Sequence, residues 1–453
     1  MKYINEPPKK IPILAKTDVL VVGGGPAGLA AAIAAAREGV NTILVERYGC
    51  FGGVITQVGV EAVAWYRHEG TIEAGGLLFE FEEKARTFGA STKECQSDSE
   101  ALDAEMFKYV ADKMVTEAGV KPLLHCYAVD AIVEDGMIKG IITESKSGRQ
   151  AILAKRIIDC TGDADIAALA GVPFTKRKRE ELSIVTQMFH CRGVNTERFL
   201  RYIEELKPTY ADWKGFWKME TSGKEDNMFS PYLVKPFMDA INEGFLNKPD
   251  NVDFGGTYSS VTPEGEVTQL NMVHISGIDC TNVEDLTRAE MIGRECVINA
   301  VNVLRKYVPG FEKARLRNFG MTLGTRESRF IEGHYKMTGK DVMNQGRFED
   351  SIGIFPEFID GNGILWLPTT GRYFQIPYRA ILPKKIDNLL VAGRCISGDI
   401  MAHAAFRNMG CCIVTGQGAG VAAAISVLDD VPTSKVDIRK VQSTLEKQNV
   451  RVF

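Results

Sequence analysis

The sequence predicts an α/β fold: a mixed-parallel sheet flanked by helices, carrying an inserted α+β unit. Three observations predict it. An apolar strand-like run at residues 19–22 leads through glycines into an alanine-rich helical stretch. Strand-then-glycine segments recur far away, at 155–163 and 387–394. Between them, from about Phe174, the rhythm is lost and many charges appear. The expected division is therefore a discontinuous sheet domain, 1–175 with 375–453, and a cap at 176–374.

Composition sets the frame. A chain of 453 residues exceeds one typical domain, so two lobes sharing a ligand are the natural expectation. With 54 basic and 58 acidic side chains the net charge is -4, which gives no electrostatic case for nucleic acid and no polybasic membrane anchor. Residues 19–36 are long and apolar enough to span a bilayer, but their glycines and Pro26 read better as strand, turn and buried helix. The expectation is a cytoplasmic protein with no membrane span and no secretory signal. Ten cysteines are scattered without a C-x-x-C pair or zinc spacing, so buried reduced thiols are expected and no metal. Cys411 and Cys412 are adjacent; packing is the simpler reading and redox activity the alternative.

The elements follow in order. Residues 1–16 form an arm, and 18–46 read as strand, glycine turn, helix and strand. Within 54–104 only a helix near 76–88 is legible. A helix at 103–117 follows, then strands at 122–134 and 138–145 around the Asp135-Gly136 turn, then a strand ending at Asp159. In the cap, 188–192 and 268–277 read as strands and 283–308 as a long amphipathic helix. Trp213, Phe216 and Trp217 suit either a lid or plain surface packing. A strand near 388–392, a small-residue helix to about Leu428 and a short amphipathic helix close the chain.

The run Val19-Leu-Val-Val-Gly-Gly-Gly-Pro-Ala-Gly puts Gly23, Gly25 and Gly28 in G-x-G-x-x-G register. The first glycine permits the tight turn, the second admits a pyrophosphate to the backbone, and the third lets helix pack on strand. Pro26 and Ala27 open a helix whose first amides and dipole favour phosphate, and proline is harmless there because its missing N–H has no helical partner anyway. The next strand ends at Glu46, eighteen positions after Gly28, where a carboxylate takes adenosine ribose hydroxyls. This Rossmann-like constellation serves NAD and FAD alike. Arg47 then opens a second glycine loop containing Gly52 and Gly53, which the longer FAD needs. The distant segment Asn388-Leu-Leu-Val-Ala-Gly-Arg, with Gly393 and Arg394, returns to the same strand-then-glycine style.

These segments resemble the FAD-dependent oxidoreductases of the glutathione-reductase-type flavoprotein superfamily, and more distantly the succinate dehydrogenase and fumarate reductase flavoproteins. The resemblance also rests on Tyr127-Ala-Val-Asp, Asp159-Cys-Thr-Gly-Asp, Leu323-Gly-Thr-Arg-Glu-Ser-Arg and Ile376-Pro-Tyr-Arg. It implies a Rossmann-like FAD-binding domain with an inserted cap. It implies that Ala128 pairs its backbone with adenine and that Thr161, Gly162 and Asp163 close the adenosine side. Cys411, Cys412 and Ile413 would offer helix N-terminal amides to the flavin O2. No histidine lies beside Gly52-Gly53, where covalent-flavin members carry one, so FAD is expected to be non-covalent. Arg394 stands where the succinate group has a carboxylate, and no second G-x-G-x-x-G marks a pyridine-nucleotide domain.

Four residues are candidates for catalysis. His403 and Arg407 are spaced i,i+4, on one face if helical, and the resemblance implies that Arg407 holds a substrate carboxylate. A histidine there titrates near neutrality and suits proton transfer; the plain alternative is a capping histidine and a structural ion pair. Arg326 and Glu327 lie in a charged stretch reaching His334, with an internal salt-bridge network as the alternative. His68, His125, His190 and His274 read as structural. The expected function is hydride transfer between flavin N5 and a small, anionic organic substrate, with direction open. The alternative is an electron-transfer subunit passing electrons to a protein partner. A homo-oligomer and a redox partner both stay open.

Overall fold

The computed structural model describes residues 4 and 7–453 apart from 68, 69, 216, 217, 220–224, 362 and 370. The readings placed on His68, Phe216 and Trp217 lie outside the described residues. A seven-stranded sheet forms the first layer. Its order runs Lys121–Leu123, Thr42–Val45, Ile13–Val22, Gly148–Asp159, Met137–Ser145, Tyr127–Glu134, and Leu389–Val391 also pairs with Gly148–Asp159. The pairs around Ile13–Val22 are parallel, and the last three strands of the path form an antiparallel meander. Val19–Val22 and Thr42–Val45 are buried throughout, as parallel strands covered on both faces should be.

Register explains how distant segments share one site. Val22 is aligned with Asp159, and Asp159 is aligned with Val391. The turns that follow these strands, at Gly23, Thr161 and Gly393, therefore leave the sheet side by side. Ligands of open α/β sheets bind at this carboxyl edge.

The strand expected at 122–134 is two strands. His125 adopts φ 53°, and the chain leaves Lys121–Leu123 at one edge of the path to enter Tyr127–Glu134 at the other. The helix Met409–Leu428 is long and apolar enough to cross a bilayer, yet 89% of its apolar window is buried inside the protein. It packs against the helix Pro26–Arg37, which takes up the apolar residues that made 19–36 look membrane-like.

The second layer is a six-stranded sheet, antiparallel at every pairing, centred on Glu266–Ile275. Its core runs from Val185 to Leu323 and includes the buried face of the helix Val283–Tyr307, which Asn282 caps. The range expected for the cap, 176–374, therefore contains residues of both cores. Val342, Ile352, Phe355 and Phe374 belong to the first core, because the fully buried strand Ser351–Pro356 packs on Met409–Leu428.

Candidate functional site

A cleft of about 1230 Å³ runs from the glycine turns of the first layer to the inner strands of the second. At its sheet end, Gly23 sits at φ 101°, and a Cβ there would lie 2.5 Å from the carbonyl oxygen of Cys160. A Cβ on Gly28 would lie 1.7 Å from the oxygen of Gly23, so the helix approaches the strand as closely as the fingerprint demands. Gly25 differs. A Cβ there meets only the Cα of Gly53, at 3.7 Å, so its surface is free for a ligand. The two glycine loops are tied by the Gly52 amide donating to Gly24 oxygen at 2.8 Å. Pro26 opens the helix with no side-chain cap, leaving its first amides for an anion.

Glu46 is buried at the end of its strand. Its carboxylate accepts the Gly24 amide at 2.6 Å and the Tyr48 amide at 2.9 Å. It therefore braces both glycine loops and still lines the cleft, with lone pairs left for hydroxyl donors. Arg47, Ala128, Thr161, Gly162 and Asp163 line the same stretch. Asp159, expected only as a strand end, accepts Thr161 N, Thr161 Oγ1 and Ala167 N and so fixes that turn.

Arg394 reaches across to Asp163, Nη2 to Oδ1 at 2.7 Å, and to Thr325 Oγ1 at 2.9 Å. Burial opposes ionisation of Asp163, but Arg394, Ser328 and Arg47 outweigh it and hold the carboxyl below its usual range. Arg394 thus ties the return strand to the turn at 161–163. Farther on, the helix Met409–Leu428 starts after Asn408 with no side-chain cap. Cys412 N already donates to Asn408 O at 2.9 Å. The amides free for a ligand are consequently those of Met409, Gly410 and Cys411, a correction to the expected Cys411, Cys412 and Ile413. The Cys412 thiol borders the cleft, but burial pushes it up to about 12, which disfavours a reactive thiolate.

The four candidate catalytic residues separate. Arg326 and Arg407 line the cleft; His403 and Glu327 do not. Glu327 is fully buried in a bidentate pair with Arg177, at 2.6 and 2.5 Å, and accepts both Ser183 N and Ser183 Oγ. That network ties Arg177 and Ser183 to Glu327 and holds the Glu327 carboxylate off the cleft. His403 packs between Phe330 and Phe406, with ring centroids at 4.6 and 5.6 Å. Burial, then the positive charges of Arg407 and Arg394, hold it well below its usual value. The expectation that it titrates near neutrality is thereby corrected, because a desolvated ring behind an arginine stays neutral.

Arg407 pairs with Asp360 at 3.3 Å. Among the described residues Arg326 forms no ion pair; its Nη2 donates to Thr186 Oγ1 at 3.0 Å. Burial and then Arg407 push its guanidinium down to about 10, with Asp360 opposing. Thr186 is also 3.2 Å from His274 Nδ1, and His274 Nε2 is 3.2 Å from the Gly255 carbonyl. A carbonyl only accepts, so Nε2 carries the proton and Nδ1 accepts the threonine hydroxyl. His274, Thr186 and Asp360 thus belong to the site, and nothing in their local sequence marks them. The only signal was strand placement, and Gln269 at φ 50° interrupts the simple alternation of Glu266–Ile275.

Comparison with known proteins adds a family. A profile described as FAD dependent oxidoreductase matches residues 18–445. Thiamine thiazole synthase of Methanococcus vannielii is 31% identical over 189 residues, 38% of this chain and 64% of that protein. The Metallosphaera sedula thiamine thiazole synthase is 30% identical, over 37% of this chain and 60% of its own. The chain thus spans less than two thirds of the length of these relatives. Among solved structures, a geranylgeranyl bacteriochlorophyll reductase-like protein from Thermoplasma acidophilum is 15% identical with a TM-score of 0.47, covering 96% of this chain and 84% of that one.

Proposed function

The chain belongs to the family of FAD dependent oxidoreductases, and from that premise we propose that it oxidises or reduces a small, anionic organic substrate in the cleft between its two layers. The observation that carries this reading is the pair of guanidinium groups lining one cleft, of which Arg326 has no carboxylate partner among the described residues. Two like charges in a partly desolvated space favour an anion as their neighbour.

FAD, when bound, supplies the two-electron chemistry by accepting a hydride from a substrate C–H bond or returning one. The residues suited to hold it, non-covalently, are Gly25 and Gly53 at the pyrophosphate, Glu46 at the ribose, and the Thr161–Asp163 turn on the adenosine side. The first amides of Met409–Leu428 suit the negative charge of a reduced ring. Arg407 orients the substrate acid, and the resemblance to succinate and fumarate flavoproteins, where an arginine in this place holds a carboxylate, supports the same role. Thr186 and His274 hold Arg326 in a fixed rotamer, so its planar fork meets the anion preorganised. His403 relays no proton here; its ring is buried between Phe330 and Phe406.

The test is anaerobic reaction of the FAD-loaded protein with panels of carboxylic acids, polyols and sugars, starting from oxidised and from photoreduced flavin. Acids alone should change the flavin spectrum, and Arg407→Lys should raise the apparent substrate constant strongly while FAD content holds. Turnover of neutral polyols with acids inert would contradict the reading.

A further inference from the structure

Beyond the two arginines the cleft wall is aromatic. Trp65, Tyr210, Trp213, Tyr232 and Phe358 all line it, although they come from four separate stretches of chain. The rings form one continuous set. Trp213 stacks on Tyr232 with centroids 4.4 Å apart and on Tyr210 at 6.0 Å. Trp65 meets Tyr210 edge-on at 6.0 Å and Phe358 at 6.3 Å. The polar edges of two of these rings are occupied: Trp213 Nε1 donates to Ser230 Oγ at 2.8 Å, and Tyr210 Oη to Gln96 Oε1 at 3.3 Å. What Trp213, Tyr210 and Phe358 have left to offer a ligand is apolar ring surface.

The wall adjoins the cationic end. Phe358 lies two positions before Asp360 in the same strand-bearing segment, and Asp360 pairs with Arg407. Asp360 also acts electrostatically on both Arg326 and Tyr210. A molecule whose anionic group meets the guanidinium pair therefore meets aromatic surface with the rest of its body. An aromatic box alone also suits an ammonium ion, but two arginines beside it disfavour a cation. Rigid rings favour a planar partner over a flexible chain, because offset and edge-on ring contacts add to simple area burial and cost little ordering of the ligand.

We propose that the aromatic wall selects the body of the substrate, and that the substrate class is an aryl carboxylate or a similarly planar, ring-bearing acid. The inference rests on the anionic-substrate reading above and narrows it. Trp213 and Tyr232, half-buried and stacked, are the specificity-determining pair; Trp65 and Tyr210, fully buried, back them.

Calorimetric titration of the FAD-loaded protein with phenylacetate, hexanoate, gluconate and benzyl alcohol tests it. Phenylacetate should bind about tenfold more tightly than hexanoate, the size of one good ring contact. Trp213→Leu and Tyr232→Leu should each weaken phenylacetate binding more than hexanoate binding, so that the tenfold ratio between the two falls toward one. Two variants are used so that loss of fold in one, read from its melting temperature and FAD content, leaves the other as the test. Hexanoate or gluconate binding as tightly as phenylacetate would overturn the aryl assignment and leave the acid reading standing. Benzyl alcohol binding as tightly as phenylacetate would overturn the acid reading and with it the class proposed. Failure of all four probes to bind would also overturn it.

Discussion

A methyl group on Gly28 would sit 1.7 Å from the carbonyl oxygen of Gly23, whereas one on Gly25 would meet only the Cα of Gly53, at 3.7 Å. The two glycines of one turn therefore serve different ends. Gly28 lets the helix reach the strand; Gly25 leaves open space facing the cleft. Gly28→Ala should lower the melting temperature and abolish FAD retention together. Gly25→Ala should keep the fold, seen as a near-native melt of the apoprotein, yet lose FAD on dialysis. Both are read from the ratio of flavin to protein absorbance beside thermal denaturation.

Glu46 accepts two backbone amides and faces the cleft. Glu46→Arg removes acceptors worth about 1.5–3 kcal/mol each for bonds to a charged group, and turns a cation toward the site. The expected outcome is loss of FAD on extended dialysis and a lower melting temperature, because the same carboxylate braces both glycine loops. Glu46→Gln keeps one acceptor oxygen and should retain more cofactor. Full FAD occupancy in Glu46→Arg would remove Glu46 from the ribose role.

Three histidines should be silent near neutrality. Burial followed by Arg317 pushes His190 down to about 4. Burial followed by Arg326 pushes His274 down to about 4. His403 is held well below its usual value by burial and Arg407. In a nitrogen-15 NMR titration of labelled histidine, the signals lost in His190→Gln, His274→Gln and His403→Gln should show no inflection between about pH 5.5 and 8. A His403 inflection near neutrality would restore it as a proton carrier.

Glu61 gives a pH dependence of opposite sense. It is 3% exposed, and burial raises it to about 7 against hydrogen bonds from Thr268 and Ala104. Its folded value lies above the ordinary 4.5, so the folded state binds more protons in that window. Its stabilising contribution is full below about 4.5 and is lost as pH rises through about 7, of order 3 kcal/mol at most. Glu61→Gln mimics the protonated carboxyl, so its melting temperature relative to wild type should climb from pH 5 to pH 8.5. A difference independent of pH would show that Glu61 is ionised throughout.

The sheet domain was legible because its signals are local. The fingerprint Gly23-x-Gly25-x-x-Gly28, the strand ending at Glu46 and the return strand before Gly393 each sit within a few residues, and backbone chemistry fixes what those residues do. The far end of the cleft was not legible. Arg326 draws its setting from Thr186 and His274, which are 140 and 88 positions away from their partners in that chain of bonds. The expected pairing of His403 with Arg407 failed on burial: helical spacing puts both on neighbouring turns, but Phe330 from another element closes over the ring. Likewise 337–374 looked foreign to the sheet domain, since its membership depends on Ser351–Pro356 packing on a helix far along the chain. The aromatic wall assembles from four stretches, so no window of sequence displays it.

The most direct measurement is the identity and stoichiometry of the cofactor released from the purified protein. Acid or heat should release intact FAD into solution, close to one per chain, leaving colourless polypeptide that regains its yellow colour with added FAD. Release of FMN, or an apoprotein that cannot take up FAD, would contradict the assignment of Gly25, Gly53 and Glu46 to an FAD cradle and the account built on it.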